Sequence, residues 1–296
     1  MLHQQIIQNK RKTILVLLVY TLLFLTVGIA IGYFMFDDIL IGTIIATVLG
    51  GIYAIAMLSQ STEIVLKRNH AHQITEEMYP MLWHIVEDMA IVAQVPMPSV
   101  HVIQDDSPNA FATGMSPDKA AVAVTTGLLK RLNREELEGV IAHEFSHIKN
   151  YDVRLQTILV ALGTAIALLI QFSSYGMRFG GRHKSNNNDK NSVLGIVLFI
   201  VSILAIFLAP LLSTLTQLAL SRNREYLADA TAVSFTRNPQ GLISALQIIS
   251  QSPDMKGVDP QSAALYIASP IHKKEKDSLF ATHPSTANRI ARLRNM

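Results

Sequence analysis

At 296 residues, half of them hydrophobic and only 16% charged, the chain carries more apolar surface than a water-soluble domain of this length readily buries, so a membrane class comes first. The formal charge of +3 is mild and the basic residues lie scattered beside apolar runs, which argues against nucleic acid as a partner. Cysteine is absent, so disulfides and thiolate metal sites are excluded, and any transition metal must be held by nitrogen and oxygen.

Four uncharged apolar stretches follow in chain order: Thr13 to Phe36, Ile39 to Thr62, Leu155 to Met177 and Ser192 to Ser221. Each exceeds the roughly 20 residues of helix that cross a ~30 Å hydrocarbon core. The first follows Lys10, Arg11 and Lys12, but it is too long for the core of a signal peptide and lacks a small-residue cleavage site, so it is expected to remain as an anchor. Asp37 and Asp38 form the turn to the second stretch, which ends before Lys67 and Arg68; positive-inside counting puts both ends of this hairpin in the cytoplasm. Residues 178–191 join the third and fourth stretches through a basic, Asn-rich linker that favours the cytoplasm, so full crossing or dipping and returning both stay open for that pair.

Between the two pairs, apolar residues at helical spacing (Met78, Leu82, Ile85, Met89) predict a helix over Glu76 to Ala93, with Pro80 tolerable only near its start. Val100 to Ile103 and Ala120 to Thr125 are short β-branched runs flanking Asn109 to Gly114, with a turn at Ser116-Pro117-Asp118, and predict a small antiparallel sheet. Asn133 with Glu136 three residues on forms a capping box that opens the next helix. Beyond Arg222 the pattern predicts helices over Glu225 to Phe235, Pro239 to Ser250 and Ser285 to Leu293.

The capped helix carries His143-Glu144-Phe145-Ser146-His147. Two histidines four apart lie one turn above each other on one face, where both imidazoles can reach a single metal ion, and Glu144 beside them can hold a water against it. Chance places such a motif in roughly one such sequence in a hundred, so it calls for support. Glu225 and Asp229 supply it: they share one helical face, Glu225 as a carboxylate third ligand and Asp229 as acceptor for the free ring N–H of a metal-bound histidine. The competing reading of that stretch is a solvated helix with Arg222 and Arg224 as interfacial anchors. Two apolar runs between His147 and Glu225 return the chain to the side it left, which lets the two halves meet.

The N-terminal apolar pair, Asn109-Ala110-Phe111-Ala112, the His143 to His147 motif, the second apolar pair, Arg224 to Asp229 and Thr282-His283-Pro284 together resemble the HtpX-type heat-shock membrane peptidases, relatives of Ste24-type and OMA-type zinc peptidases. The resemblance covers nearly the whole chain. It implies a gluzincin-like domain facing the cytoplasm of a bacterial cell, one Zn2+ per chain on His143, His147 and Glu225, Glu144 as the catalytic residue, and His283 as a donor to the oxyanion or a group near that donor, although His283-Pro284 also reads as a plain turn. It further implies that Asn109, Ala110, Phe111 and Ala112 form an edge strand that pairs with extended substrate, against the alternative of an interior hairpin strand, and that the substrates are damaged or misfolded membrane proteins.

The expected fold class is therefore an α+β membrane protein, mainly helical, with four apolar membrane segments and a zinc peptidase domain holding a small antiparallel sheet. The expected division is 1–62 as a transmembrane hairpin, 63–154 as the first half of the catalytic domain, 155–221 as the second membrane hairpin and 222–296 as the second half with the third ligand. Pro253 to Ala281 is expected to form a mobile lid over the cleft. A non-catalytic reading keeps the zinc as a clamp in a membrane assembly factor, although structural zinc usually takes four protein ligands.

Overall fold

The computed structural model describes residues 2–31, 39–162, 222–256, 258–259, 262–270 and 284–296. The chain divides into two compact units: one comprises Met1–Lys10, Ser61–Val160 and Gln217–Met296, the other Arg11–Gln60 and Ala161–Thr216.

The first apolar stretch as far as Ile31 and the second fall on α1 (Leu2–Ile31) and α2 (Ile39–Arg68), helices of 30 residues each, and the expected turn at Asp37 and Asp38 lies outside the described residues. Along them Leu18, Leu22, Leu40, Ile52 and Ile55 stand exposed. Thr21 and Thr47 satisfy their hydroxyls on carbonyls of their own helix, at Leu17 and Thr43, the arrangement that hides a donor from apolar surroundings. Counted over the described residues, no helix is long and apolar enough to cross a membrane. The helix at 152–162 includes the start of the third stretch; the rest of that stretch, the linker and the fourth lie outside the described residues.

In the other unit, β1 (Ala71–Gln73), β2 (Ser99–Ile103), β3 (Ala110–Gly114) and β4 (Ala120–Thr125) form one sheet in the order β1-β2-β4-β3. The expectation of an antiparallel sheet needs correction. β1 and β3 run antiparallel to their neighbours, but β2 and β4 pair in parallel, with Val102 opposite Val124. The cause is strand order: β3 turns back into β4 through a short 3-10 turn at Pro117–Lys119, and β4 inserts between β3 and β2, which gives it the direction of β2. Its alanines and valines are buried throughout, as suits a central strand.

α3 (Pro80–Ala93) begins four residues later than the pattern predicts, because Pro80 takes an N-terminal position where its missing N–H costs nothing. α4 (Thr126–Arg131) follows β4 directly, and α5 (Arg134–Lys149) carries the histidine motif. α6 (Arg222–Thr236), α7 (Pro239–Ser250) and α8 (Thr286–Leu293) follow, the last two capped by the side chains of Asn238 and Ser285.

α5 is the centre of this unit. Both bonds of its capping box are present: Asn133 Oδ1 accepts from the Glu136 N–H at 3.0 Å, and Glu136 Oε2 accepts from the Asn133 N–H at 2.9 Å. Leu137, Val140, Ile141 and Phe145 are fully buried against Ile85, Val86, Leu242 and Leu246 in one apolar cluster. α7 approaches so closely at Gly139 that a Cβ there would lie 2.8 Å from the Leu242 backbone nitrogen. Glycine at this position is what allows the two helices to touch backbone to backbone.

Candidate metal centre

The helical turn between His143 and His147 puts their rings 4.7 Å apart at an interplanar angle of 85°. Their Nε2 atoms face each other at 3.2 Å. Glu225, on α6, brings Oε2 to 3.7 Å from His143 Nε2 and Oε1 to 3.6 Å from His147 Nε2. All three residues are buried, and their donor atoms lie within 4.8 Å of one another. The structure thus brings together the three residues expected from sequence, with Glu225 lying 78 positions beyond His147.

The other ring nitrogens settle which atoms point inward. His143 Nδ1 is 3.0 Å from Asp229 Oδ1, and His147 Nδ1 is 3.0 Å from Asp152 Oδ2. A carboxylate accepts only, so each imidazole donates through Nδ1–H and turns an Nε2 lone pair toward the other ring. Two lone pairs and a carboxylate converging on one buried point repel one another unless a cation or proton stands between them. That is the observation by which the residues fit a divalent metal, and two imidazoles with one carboxylate form a set used by catalytic zinc.

Asp229 is held in turn by Arg289 of α8, with Nε to Oδ2 at 2.9 Å and Nη2 to Oδ1 at 2.6 Å. Burial alone would push the Asp229 carboxyl up, but the Arg289 charge and the bonds from His143 and Arg289 outweigh it and hold it at about 2. At His143 burial disfavours the charged ring, and the Asp229 and Glu225 carboxylates more than compensate, raising it to about 9. Glu144 lies beside the pair, 1% exposed, with Oε1 lacking a hydrogen-bond partner among the described residues. Burial raises its pKa above the ordinary carboxylate value, opposed by the His143 and His147 charges, and the Ala112 backbone also bonds to it.

Asn109 precedes β3, and Ala110, Phe111 and Ala112 lie within it, at the sheet edge and buried. The Ala110 end of that edge is taken by the chain itself: Ile267 N–H donates to the Ala110 carbonyl at 2.9 Å, Tyr266 bridges Phe111, and Asn109 Nδ2 donates to the Ala268 carbonyl at 3.1 Å. A buried strand edge must have its polar groups satisfied, and residues 266–268 do this here. The same residues correct the expected lid over part of its length. Tyr266 and Ile267 are each 1% exposed and belong to the core. His283 lies outside the described residues.

Asp152 and Arg289 were not found from sequence. Asp152 reaches back to His147 because Tyr151, just past the C-cap residue Asn150, takes a left-handed conformation at φ 59° that turns the chain. Arg289 comes from the far end of the chain, and only its place just beyond Thr282-His283-Pro284 hinted at it.

A helix presenting two histidines and a glutamate to a buried carboxylate from a second helix, each histidine backed by an aspartate, is an arrangement of the kind that metallopeptidases use, and here it is a candidate metal centre. The model of peptidase family M48 matches residues 79–296, and the chain belongs to that family. It is similar over its whole length to curated proteins called protease HtpX homologs. These include one from Streptococcus uberis at 53% identity and one from Levilactobacillus brevis at 54%, each covered for 100% of both chains. A crystal structure of Ste24p from S. mikatae aligns over 98% of this chain with TM-score 0.48 and 21% identity; the chain spans 66% of that protein's length, and a likeness of this order decides nothing about the site.

Proposed function

We propose that this metallopeptidase is a multi-pass, membrane-anchored zinc endopeptidase of the bacterial cell membrane, its catalytic domain in the cytoplasm, cleaving unfolded or damaged membrane proteins. His143, His147 and Glu225 would hold one Zn2+ per chain. The observation that carries the reading is the convergence of two Nε2 lone pairs, 3.2 Å apart, on the Glu225 carboxylate. The exposed leucines and isoleucines of α1 and α2, followed by Lys67 and Arg68, support the membrane and its orientation.

Zinc at this point would supply a Lewis acid that brings the pKa of a water toward ~7 and polarises the scissile carbonyl. Glu144 is placed to accept the proton of an attacking water and to carry it to the departing amide nitrogen. Its burial suits both halves of the task, because a raised pKa makes the carboxylate a better acceptor and its acid a stable carrier. Asp229 and Asp152 keep both imidazoles in the tautomer that offers Nε2 inward. His283 is assigned as donor to the oxyanion. Of the strand Asn109 to Ala112, the stretch up to Phe111 is already paired with residues 266–268, so extended substrate is assigned to the β3 edge at Ala112, beside Glu144.

The test is purification in detergent followed by zinc analysis and cleavage of an unfolded membrane protein. Wild type is expected to hold one zinc per chain and to cleave; Glu225→Ala is expected to lose both properties. A Glu225→Ala variant that keeps stoichiometric zinc contradicts the assignment.

A further inference from the structure

Asn9 belongs to the polar residues that precede the first apolar stretch, in a part of the sequence with no motif. It is nevertheless buried, at 3% exposure, against the metal centre's supports. Its Nδ2 donates to Asp152 Oδ1 at 2.6 Å and to the Asn150 carbonyl at 3.2 Å. Its Oδ1 accepts from Arg224 Nη1 at 3.3 Å, and the same Nη1 reaches Asp152 Oδ1 at 3.2 Å. The opposite oxygen of Asp152 takes the Nδ1 of His147 at 3.0 Å.

Asn9 thus stands between a carboxylate, which needs a donor, and a guanidinium, which needs an acceptor. A side-chain amide offers both on adjacent atoms, whereas lysine only donates and aspartate only accepts. The amide orientation follows from the same network, because reversing it would set like against like at both ends. With Asp152 Oδ1 pinned by Asn9 and Arg224, Oδ2 has one direction left, toward His147. The Asn150 contact fixes the turn that delivers Asp152, so the ligand's support is held both at its backbone and at its side chain.

We propose that Asn9 is a positioning residue for catalysis: from the N-terminal end of α1 it orients Asp152, and through Asp152 the imidazole of His147. This rests on the reading of His147 as a zinc ligand. Outer partners of metal-bound histidines typically change metal affinity or activity by about 10–100-fold when removed, and Asn9 is assigned an effect at the lower end of that range because Arg224 remains.

The experiment uses the full chain in detergent as wild type, Asn9→Leu, Asp152→Asn and the double variant, with Asn9→His as the conservative replacement that still donates and accepts. Four quantities are read: the rate of zinc loss to a chelator, kcat and KM on one peptide, and the melting temperature of the zinc-stripped protein. Asn9→Leu is expected to lose zinc about tenfold faster and to lower kcat with KM nearly unchanged. Asn9→His recovers part of both, and the double variant loses zinc no faster than Asp152→Asn alone, because the two residues act in one line. Additive effects of Asn9→Leu and Asp152→Asn overturn the proposal. So does unchanged zinc loss and kcat in Asn9→Leu, or a change accounted for by an equal drop in the melting temperature of the stripped protein. Zinc-free, inactive wild type would instead sink the metal assignment itself, and this inference with it.

Discussion

Arg289 grips Asp229 through two parallel hydrogen bonds, 2.9 and 2.6 Å long, with both side chains only 2% exposed. The fork geometry matters as much as the charge. Arg289→Lys keeps the cation but cannot make both bonds, and it also releases the Ile267 carbonyl, which Nη1 holds at 2.7 Å. Arg289→Met removes one partner of a buried ion pair and leaves the Asp229 carboxylate with His143 alone, a change that costs about 3–5 kcal/mol. Thermal melts are expected to rank wild type above Arg289→Lys and Arg289→Met lowest; a Lys variant equal to wild type would show that the fork contributes nothing.

Raising His143 to about 9 links metal binding to pH. Below that value the metal-free site carries a proton, held between the two Nε2 atoms, and zinc must displace it. Apparent zinc affinity is therefore expected to fall about tenfold per pH unit as pH drops below about 9, one proton leaving per ion bound. In the metal-free protein the same shift stabilises the fold fully below the ordinary value of 6.5 and is lost as pH rises through about 9. Competition titrations against a chromogenic chelator across this range check the slope, which would be flat if His143 titrated normally.

Gly139 sets the approach of α5 to α7. A methyl there would lie 2.9 Å from the Leu242 Cα, and backbone atoms cannot yield as a flexible side chain can. Gly139→Ala should cost about 1–3 kcal/mol by overpacking, in spite of alanine's better helix propensity. Chemical denaturation measures it, and a stabilised variant would show that the helices separate easily.

The site was legible where helical spacing and capping govern. Asn133 and Glu136 announce the start of α5, four residues separate His143 from His147, and four separate Glu225 from Asp229, each pair reading as one face of a helix. What was hidden depends on tertiary approach. Asp152 meets His147 only because Tyr151 adopts φ 59°, which no pattern in a tyrosine announces. Arg289 reaches Asp229 across 60 positions and Asn9 reaches Asp152 across 143, without periodicity to mark either. The parallel β2–β4 pair was missed for a related reason: local strand signals say nothing about which strand inserts between two others. At α3 a local rule did apply, and Pro80 overrode the apolar spacing that extended back to Glu76.

Glu144 separates metal holding from chemistry, since it lies beside the ligands and is not among the three residues whose donor atoms converge. Replacing it with the isosteric amide removes the proton acceptor and leaves His143, His147 and Glu225 in place. The decisive measurement pairs zinc content with cleavage rate for wild type and Glu144→Gln purified side by side. The variant is expected to keep one zinc per chain and to lose at least about 100-fold in kcat, as removal of a general base does; full cleavage activity in zinc-loaded Glu144→Gln would contradict the mechanism.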